Sequence, residues 1–518
     1  MADGIVLVGL PGSGKSVVGR LLAERLGRPF ADTDELVQRR TGRSPAAIID
    51  EDGEPAFRAA ERLAIGAIEP GAVVATGGGA LAEPLNRWDL WRHGAAVWLD
   101  APAEVLVSRL AGDGARRPLL EPDPLAGLRR LAAERAPFYR AADRVVDGER
   151  PAAVIADELA SGLAEPKERR LFDTEVERHH PLGPTRGRVV LGVELELPSD
   201  DRSSLIIDAR LTRLQPRLVT SLGAGRCIAI AAGERAKRMR TLERVLEWLA
   251  ASRAERDETI VGVGGGTIGD LAGLAAALYA RGVPYVAVPT TWLAQADAAL
   301  GGKVGVDLAG AKNAVGAFWP PTAVFADVTR LRTQSLHRRR DGLAEAVKAA
   351  LIGDTELWRL LEARGAAALH RDEAARYAIT ERAARVKLAI VARDPFEQGE
   401  RRQLNLGHTL GHALEVESRY RLPHGEAVAL GLRAVAGIAT VRGAEPQLAE
   451  RLDALLVDLG FALRHTFDPA AVRDALLGDK KRLAGRQRWL LPMGIGQVVE
   501  ADDVTDAELN AALERIVR

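Results

Sequence analysis

The 518-residue chain contains a single cysteine, three methionines and only 4% aromatic residues. Cys227 alone closes no internal disulfide and forms no CxxC site, which excludes a disulfide-stapled scaffold. Net charge is also missing: 71 Lys plus Arg balance 71 Asp plus Glu, which disfavours a general nucleic-acid-binding surface. No uncharged apolar run reaches the ~18 residues that cross a bilayer. Asp270, Arg281 and Asp297 interrupt the longest candidates. The opening MADGIVLVGL lacks a basic segment followed by a long apolar stretch, so a cytoplasmic protein is expected. Lysine is scarce as well, with nine against 62 arginines. Lys is a compact ammonium whose pKa moves with its surroundings whereas Arg is permanently charged, so the positions that keep Lys are worth following.

What remains, 47% hydrophobic and 27% charged, belongs to a core-forming chain. The N-terminal stretch reads as strand (IVLVGL), glycine-rich turn and amphipathic helix, followed by strands AVVAT and AAVWLD between helical segments. That rhythm predicts an α/β unit with a parallel sheet over residues 1–165. Residues 166–190, charged and bearing Pro and Gly, read as a linker. A second α/β lobe over 191–334 carries the strands SLIIDAR, CIAIAAG, TIVGVGGG and YVAVP, and Ala/Leu/Arg helical periodicity dominates 335–518.

Residues 9–16, GLPGSGKS, match G-x-x-x-x-G-K-S between a predicted strand and a helix. Backbone N–H groups of Gly12, Ser13 and Gly14 wrap phosphates in such a loop. Lys15 neutralises their oxygens and Ser16 serves Mg²⁺. Asp32 and Asp34 in PFADTD are two apart and share one side if the segment is extended, one suited to Mg²⁺ and the other to a hydroxyl. Arg58, Arg117 and Arg135 suit an acidic substrate and ATP, and Gly77–Gly79 form a triple-glycine turn after a strand.

With GLPGSGKS, DTD, FRxxE, GGGA, RPLL and RAPFY in order, residues 1–165 resemble shikimate kinases. The resemblance implies that Asp34, Arg58, Gly78 and Arg135 bind shikimate, with Asp34 receiving the 3-hydroxyl proton. It makes Arg117 the lid arginine on ATP and assigns Ser16 and Asp32 to Mg²⁺.

In the second unit VGVGGGTIGD ends a strand and opens a helix, so its glycines admit a pyrophosphate closely. It lacks the dehydrogenase fingerprint in its usual place, which points to a different NAD fold. Three of nine histidines fall at 408, 412 and 424. Spacing alone puts His408 and His412 on one helix face as metal ligands, with His424 or a carboxylate such as Glu345 completing the set. Lys348 sits one turn beyond Glu345.

From about residue 190 the chain resembles 3-dehydroquinate synthases through GGGTIGDLAG, RGVPYVAVPTTWLAQAD, GGKVGVD, AKNAVGAF, GLAEAVK, LNLGHTLGHALE, LPHGEAV and GDKK. The resemblance implies zinc on Glu345, His408 and His424, with His412 facing the substrate instead. It implies NAD contacts at Gly233, Glu234 and Lys237, at Gly265, Gly266, Thr267, Ile268, Gly269 and Asp270, and at Thr290, Thr291, Lys303 and Lys312. The heptulosonate phosphate would meet Asp297, Lys303, Asn313, Lys348, Lys387, Arg401, Asn405, His412 and one of Lys480 and Lys481, here Lys481. Lys348, Lys387 and His412 are the expected catalytic groups of this unit, as Lys15 and Asp34 are of the first. Arg281 would reach the substrate phosphate from a neighbouring subunit, which implies a homodimer. The leading reading is a bifunctional shikimate-pathway enzyme. Its alternatives are a sugar phosphate cyclase with a different product, or a kinase module without catalysis.

Overall fold

Strand segments such as GIVLV and VVA are buried along their whole length, as strands covered on both faces must be, and helices separate them. The computed structural model describes residues 4–112, 117–163, 168–180, 183–197, 202–216, 218, 226–231, 233–309, 311–477 and 487–518. They fold as two units, Met1–Glu175 with Val189–Glu196, and Val176–Arg188 with Leu197–Arg518. Among the described residues no helix is long and apolar enough to cross a membrane.

The first unit holds β1 (Gly4–Val8), β2 (Phe30–Asp32), β3 (Val73–Ala75), β4 (Gly94–Asp100) and β5 (Arg144–Asp147) in a parallel sheet of order β2-β3-β1-β4-β5. Because β1 pairs with both β3 and β4, the chain diverges at its C-terminal end and leaves a crevice there. Val18 and Leu22 of the helix Lys15–Leu26 close one face against Ile5, Leu7, Val73 and Val97.

The strands β6 (Arg169–His180), β7 (Gly183–Val193), β8 (Ser203–Asp208), β9 (Arg226–Ile230), β10 (Thr259–Gly264), β11 (Tyr285–Pro289), β12 (Lys303–Leu308), β13 (Ala311–Phe318) and β14 (Ala323–Asp327) follow. A seven-stranded sheet takes the order β6-β7-β14-β11-β10-β8-β9, and β12 and β13 form a separate antiparallel pair. The segment read as a linker is therefore structured over most of its length. Arg, Glu and His residues crowd β6 and leave it no clean apolar pattern, and the unbroken buried run Val189–Val193 of β7 begins only where that segment ends. Beyond β14 the chain is helical from Leu336 to Leu477, and the hairpin β15 (Trp489–Gly494) with β16 (Gln497–Ala501) precedes the last helix, Asp506–Ile516. The helical lobe encloses an extensive core, with Trp292, Trp358, Val347, Leu361, Leu410 and Leu432 fully buried. At about 1.5–3 kcal/mol per buried large side chain, such a core holds the ionic cluster beside it rigidly.

Two candidate active sites

In the first unit Gly14 adopts φ 87, a left-handed backbone that glycine takes without strain, and so turns β1's loop into the helix Lys15–Leu26. Lys15 is buried and donates to Gly9 O (2.9 Å), Leu10 O (2.8 Å) and Ser13 Oγ (3.2 Å). Burial lowers its pKa to about 8 despite the nearby Asp34 and Asp32. Ser16 Oγ donates to Asp32 Oδ2 at 2.6 Å, bringing together the two groups expected to serve Mg²⁺. Asp32 ends β2, but Asp34 already lies in the helix Thr33–Thr41, with Asp32 Oδ1 accepting from its backbone N–H at 3.0 Å. The expectation of one extended segment is thereby corrected: Asp32 caps a helix, and the turn of that helix carries Asp34 to the crevice.

Asp34 Oδ1 and Glu61 Oε1 are both buried without a hydrogen-bond partner. They converge on Gly77, where an added Cβ would lie 2.5 Å from the first and 3.1 Å from the second. Burial, reinforced by Asp32, raises the Asp34 pKa to about 6, and burial raises Glu61 to about 7 against the pull of Arg58. Arg58 donates to Glu61 Oε2 (2.9 Å) and Glu54 Oε1 (2.8 Å), and its guanidinium fills the space where a side chain at Gly79 would stand. Arg135 Nη1 (2.6 Å) and Tyr139 Oη (2.9 Å) both donate to Gly78 O. Arg117, at the start of the turn Pro118–Leu120, is close enough for its charge to lower the pKa of both Lys15 and Asp34. A phosphate cradle, an unpartnered carboxylate and two guanidiniums thus face one crevice.

In the second unit Glu345 comes from the helix Leu336–Gly353, while His408 and His424 each begin a helix, His408–Glu417 and His424–Val441. One ligand atom from each lies within 4.8 Å of the others. Glu345 Oε1 is 2.9 Å from His424 Nε2 and 3.2 Å from His408 Nε2, and His408 Nδ1 meets Leu406 O at 3.1 Å. Burial lowers the His408 pKa. His424 is also depressed by burial, but Glu345 and Glu415 outweigh that and raise it to about 10. The donor set, one carboxylate and two imidazoles, buried or half-buried, fits a zinc-type ion. His412 is outside this trio, with its ring centroid 5.3 Å from that of His408 and 6.5 Å from that of His424.

Next to the trio the cations gather. Lys348 pairs with Glu345 and lies 3.8 Å from Asp297 Oδ2, and Lys387 donates to Asp297 Oδ1 at 2.5 Å. Gly301 lets Lys387 and Arg401 converge, since a Cβ there would stand 3.0 Å from Lys387 Cε and 3.0 Å from Arg401 Nη2. Lys303 and Asn405 share Glu397, Asn405 donating at 2.8 Å. Lys237 is bound to Asp270 Oδ2 (2.6 Å) and to Asn313.

At the N-terminus of the helix Gly266–Leu278 a cleft runs past Gly264, Gly265, Gly266, Gly269 and Asp270 to Lys303 at the start of β12. Gly265 has no room for a side chain, its Cβ position lying 2.9 Å from Thr291 Cγ2, so backbone is what this helix end presents, as a pyrophosphate requires. Thr290 N–H binds Gly264 O at 2.9 Å, Thr267 lies in the helix, and the Ile268 side chain is fully buried, leaving only its backbone for a cofactor. Gly233 and Glu234 begin a short 3₁₀ turn, with Glu234 3.4 Å from Lys312. Arg281 is exposed and, like Ala280, has positive φ (67° and 48°). Lys480 and Lys481 lie outside the described residues.

Two carboxylates were not singled out from sequence. Glu415 meets His424 Nδ1 at 3.3 Å and accepts from Lys312 at 3.2 Å. It lies seven residues after His408 on the same helix, so two-turn spacing was a usable signal. Glu397 stands in a loop at φ 60°, for which periodicity offers no sign.

The shikimate kinase family model matches residues 11–164, and the 3-dehydroquinate synthase N-terminal and C-terminal models match 227–341 and 342–482. A 2-epi-valiolone synthase of Actinosynnema mirum is 40% identical over 62% of this chain and 90% of its own length. A 3-dehydroquinate synthase of Xanthomonas axonopodis pv. citri is 43% identical over 60% of this chain and 84% of its own. Among solved structures, ValA, the 2-epi-5-epi-valiolone synthase of Streptomyces hygroscopicus subsp. jinggangensis with NAD⁺ and Zn²⁺ bound, is 32% identical with a TM-score of 0.59, covering 63% of this chain and 95% of that one. The chain belongs to the 3-dehydroquinate synthase family of sugar phosphate cyclases and carries, ahead of that unit, a kinase domain of the shikimate kinase family.

Proposed function

We propose that the first unit transfers the γ-phosphoryl group of ATP to the 3-hydroxyl of shikimate. The observation that carries this reading is the buried, unpartnered Oδ1 of Asp34 next to the P-loop and facing Gly77. A carboxylate so placed accepts the hydroxyl proton as phosphate arrives, and a pKa raised to about 6 leaves it mostly ionised yet basic at neutral pH. Arg58 and Arg135 hold the shikimate carboxylate, Lys15 and Arg117 the phosphates, and Ser16 with Asp32 would hold Mg²⁺, which would neutralise charge on the transferred group. The kcat/KM for ATP, which reports free enzyme, is therefore expected to rise through about pH 6 as Asp34 ionises and to fall above about pH 8 as Lys15 loses its proton. A profile flat from pH 5 to 9 contradicts these roles.

For the second unit we propose conversion of 3-deoxy-arabino-heptulosonate 7-phosphate to 3-dehydroquinate with release of phosphate, in a cytoplasmic homodimer to which Arg281 of the neighbouring subunit contributes. The glycine-lined helix end with Lys237, Asp270, Thr290 and Thr291 would hold NAD⁺, and Glu345, His408 and His424 would hold zinc. Bound there, the dinucleotide would supply a recyclable hydride acceptor and zinc a Lewis acid toward the hydroxyl being oxidised. The chain's own residues do the rest. Lys348, Lys387, Arg401 and Lys303 bring four cations to a substrate that carries phosphate and carboxylate, with Asn405 and Asn313 orienting it. His412, beside the ligand trio but outside it, is placed to move a proton.

A second reading draws on the valiolone synthase relatives: closure of a heptulose phosphate that has no carboxylate. Against it stands the number of cations, since with Lys303 and Lys348 nearby, half-buried Lys387 and buried Arg401 converging at Gly301 exceed what one phosphate needs and suit a carboxylate as well.

A further inference from the structure

Lys312 lies on β13 of the α/β lobe and His424 begins a helix of the helical lobe, and a single buried carboxylate, Glu415, touches both. Its Oε1 stands 3.3 Å from His424 Nδ1 and accepts from Lys312 Nζ at 3.2 Å, while Oε2 is buried without a partner. On the far side of the imidazole, His424 Nε2 is 2.9 Å from Glu345. On the far side of the ammonium, Lys312 reaches Glu234 at 3.4 Å, and its Nζ sits 4.8 Å from the centroid of the Tyr420 ring. That ring is brought back by two consecutive left-handed residues, Arg419 (φ 54°) and Tyr420 (φ 59°), closed by Tyr420 N–H to Glu415 O at 2.7 Å. Non-glycine residues hold such a backbone only where surrounding contacts over-determine it.

We infer that Glu415 is a positioning residue that couples occupancy of the NAD site to occupancy of the metal site. This rests on the proposed NAD and zinc reading. Accepting from Nδ1–H fixes the His424 tautomer and turns Nε2 toward Glu345, as second carboxylates do for metal-ligating histidines. The same oxygen holds Lys312 against Glu234, so a cofactor that engages Lys312 changes how Glu415 holds His424. Because coupling between two sites is reciprocal, the metal must alter NAD⁺ affinity by the same factor that NAD⁺ alters metal affinity.

The test uses the purified full chain and measures the zinc Kd by chelator competition, with and without saturating NAD⁺, and the NAD⁺ Kd by fluorescence quenching. In the unaltered chain NAD⁺ is expected to change the zinc Kd by about fivefold or more. Glu415→Gln is expected to weaken zinc by about 10- to 100-fold and to bring the two zinc Kd values together. Lys312→Met is expected to abolish the NAD⁺ dependence while leaving the zinc Kd without NAD⁺ within about threefold, which a purely structural ion pair does not predict. Glu415→Asp keeps the charge but shortens the reach. It is expected to lose the coupling in a chain that retains its circular dichroism, so a misfolded Gln variant does not end the test. A wild-type zinc Kd in Glu415→Gln, or an NAD⁺ dependence that survives both Glu415→Asp and Lys312→Met, overturns the coupling alone. A chain that binds neither zinc nor NAD⁺ overturns the cofactor reading and the coupling with it.

Discussion

Asp34→Asn is expected to lower shikimate-dependent ATP consumption by at least about a hundredfold, the usual contribution of a positioned base, without lowering the melting temperature of the kinase unit at pH 8. The two effects have one cause. The Asp34 side chain is half-buried, its Oδ1 is buried with no hydrogen-bond partner, and burial followed by the charge of Asp32 lifts its pKa from 3.8 to about 6. A carboxyl whose folded pKa is raised adds stability fully below about pH 3.8 and loses it as pH rises through about 6, so at pH 8 its charge works against the fold. The rise corresponds to about 3 kcal/mol, which the neutral amide recovers in part. Activity lost with the melting temperature held or raised marks a group kept for chemistry. A matched fall in both, followed by activity and thermal melting of the same preparation, marks Asp34 as structural instead.

His408→Ala, or stripping of the protein with a chelator, is expected to cut phosphate release from the heptulosonate by about a thousandfold or more while kinase turnover, assayed with Mg²⁺ restored, stays at the wild-type level. Several kcal/mol of Lewis-acid stabilisation are at stake, and each 1.36 kcal/mol is tenfold in rate. The variant also leaves Glu345 buried with one fewer partner, because Oε1 lies 3.2 Å from His408 Nε2. Far-ultraviolet circular dichroism separates that packing cost from the lost ligand. Phosphate release that continues undiminished after metal removal contradicts the assignment of the trio.

Much of this arrangement was legible because the chemistry is local in sequence. GLPGSGKS carries its own strand, turn and helix signals, and the glycine run at 264–266 does the same for the second unit. Three features escaped for physical reasons. Asp34 was read as extended, since a dipeptide offset of two fits a strand and the capping role of Asp32 shows only once the helix begins at Thr33. Residues 166–190 read as a linker because charged side chains, Pro and Gly leave little periodicity, although β6 forms there and β7 begins there. Spacing alone paired His408 with His412 and left His424 or Glu345 to complete the set; the resemblance named Glu345, His408 and His424, which helix packing brings together across 63 residues, a relation no periodicity reports. Glu397 is of the same kind. Its carboxylate meets Lys303 and Asn405 only through the tertiary fold.

The scarce lysines illustrate the opposite case. Lys237, Lys303, Lys312, Lys348 and Lys387 each pair with a carboxylate in the second unit, and Lys15 sits in the phosphate loop. Burial makes an ammonium group costly unless compensated, so Lys237, Lys348 and Lys387 are each matched by an acid that an anionic ligand can replace.

The most direct measurement supplies the purified chain with NAD⁺ and zinc and offers it, in parallel, 3-deoxy-arabino-heptulosonate 7-phosphate and a heptulose 7-phosphate lacking the carboxylate, with products identified by NMR. The four cations Lys303, Lys348, Lys387 and Arg401, more than one phosphate needs, predict phosphate release and 3-dehydroquinate from the keto acid, with kcat/KM at least about a hundredfold higher than for the carboxylate-free sugar. Turnover of the carboxylate-free sugar with none of the keto acid contradicts the proposed substrate and gives the second unit the cyclase chemistry of its valiolone synthase relatives.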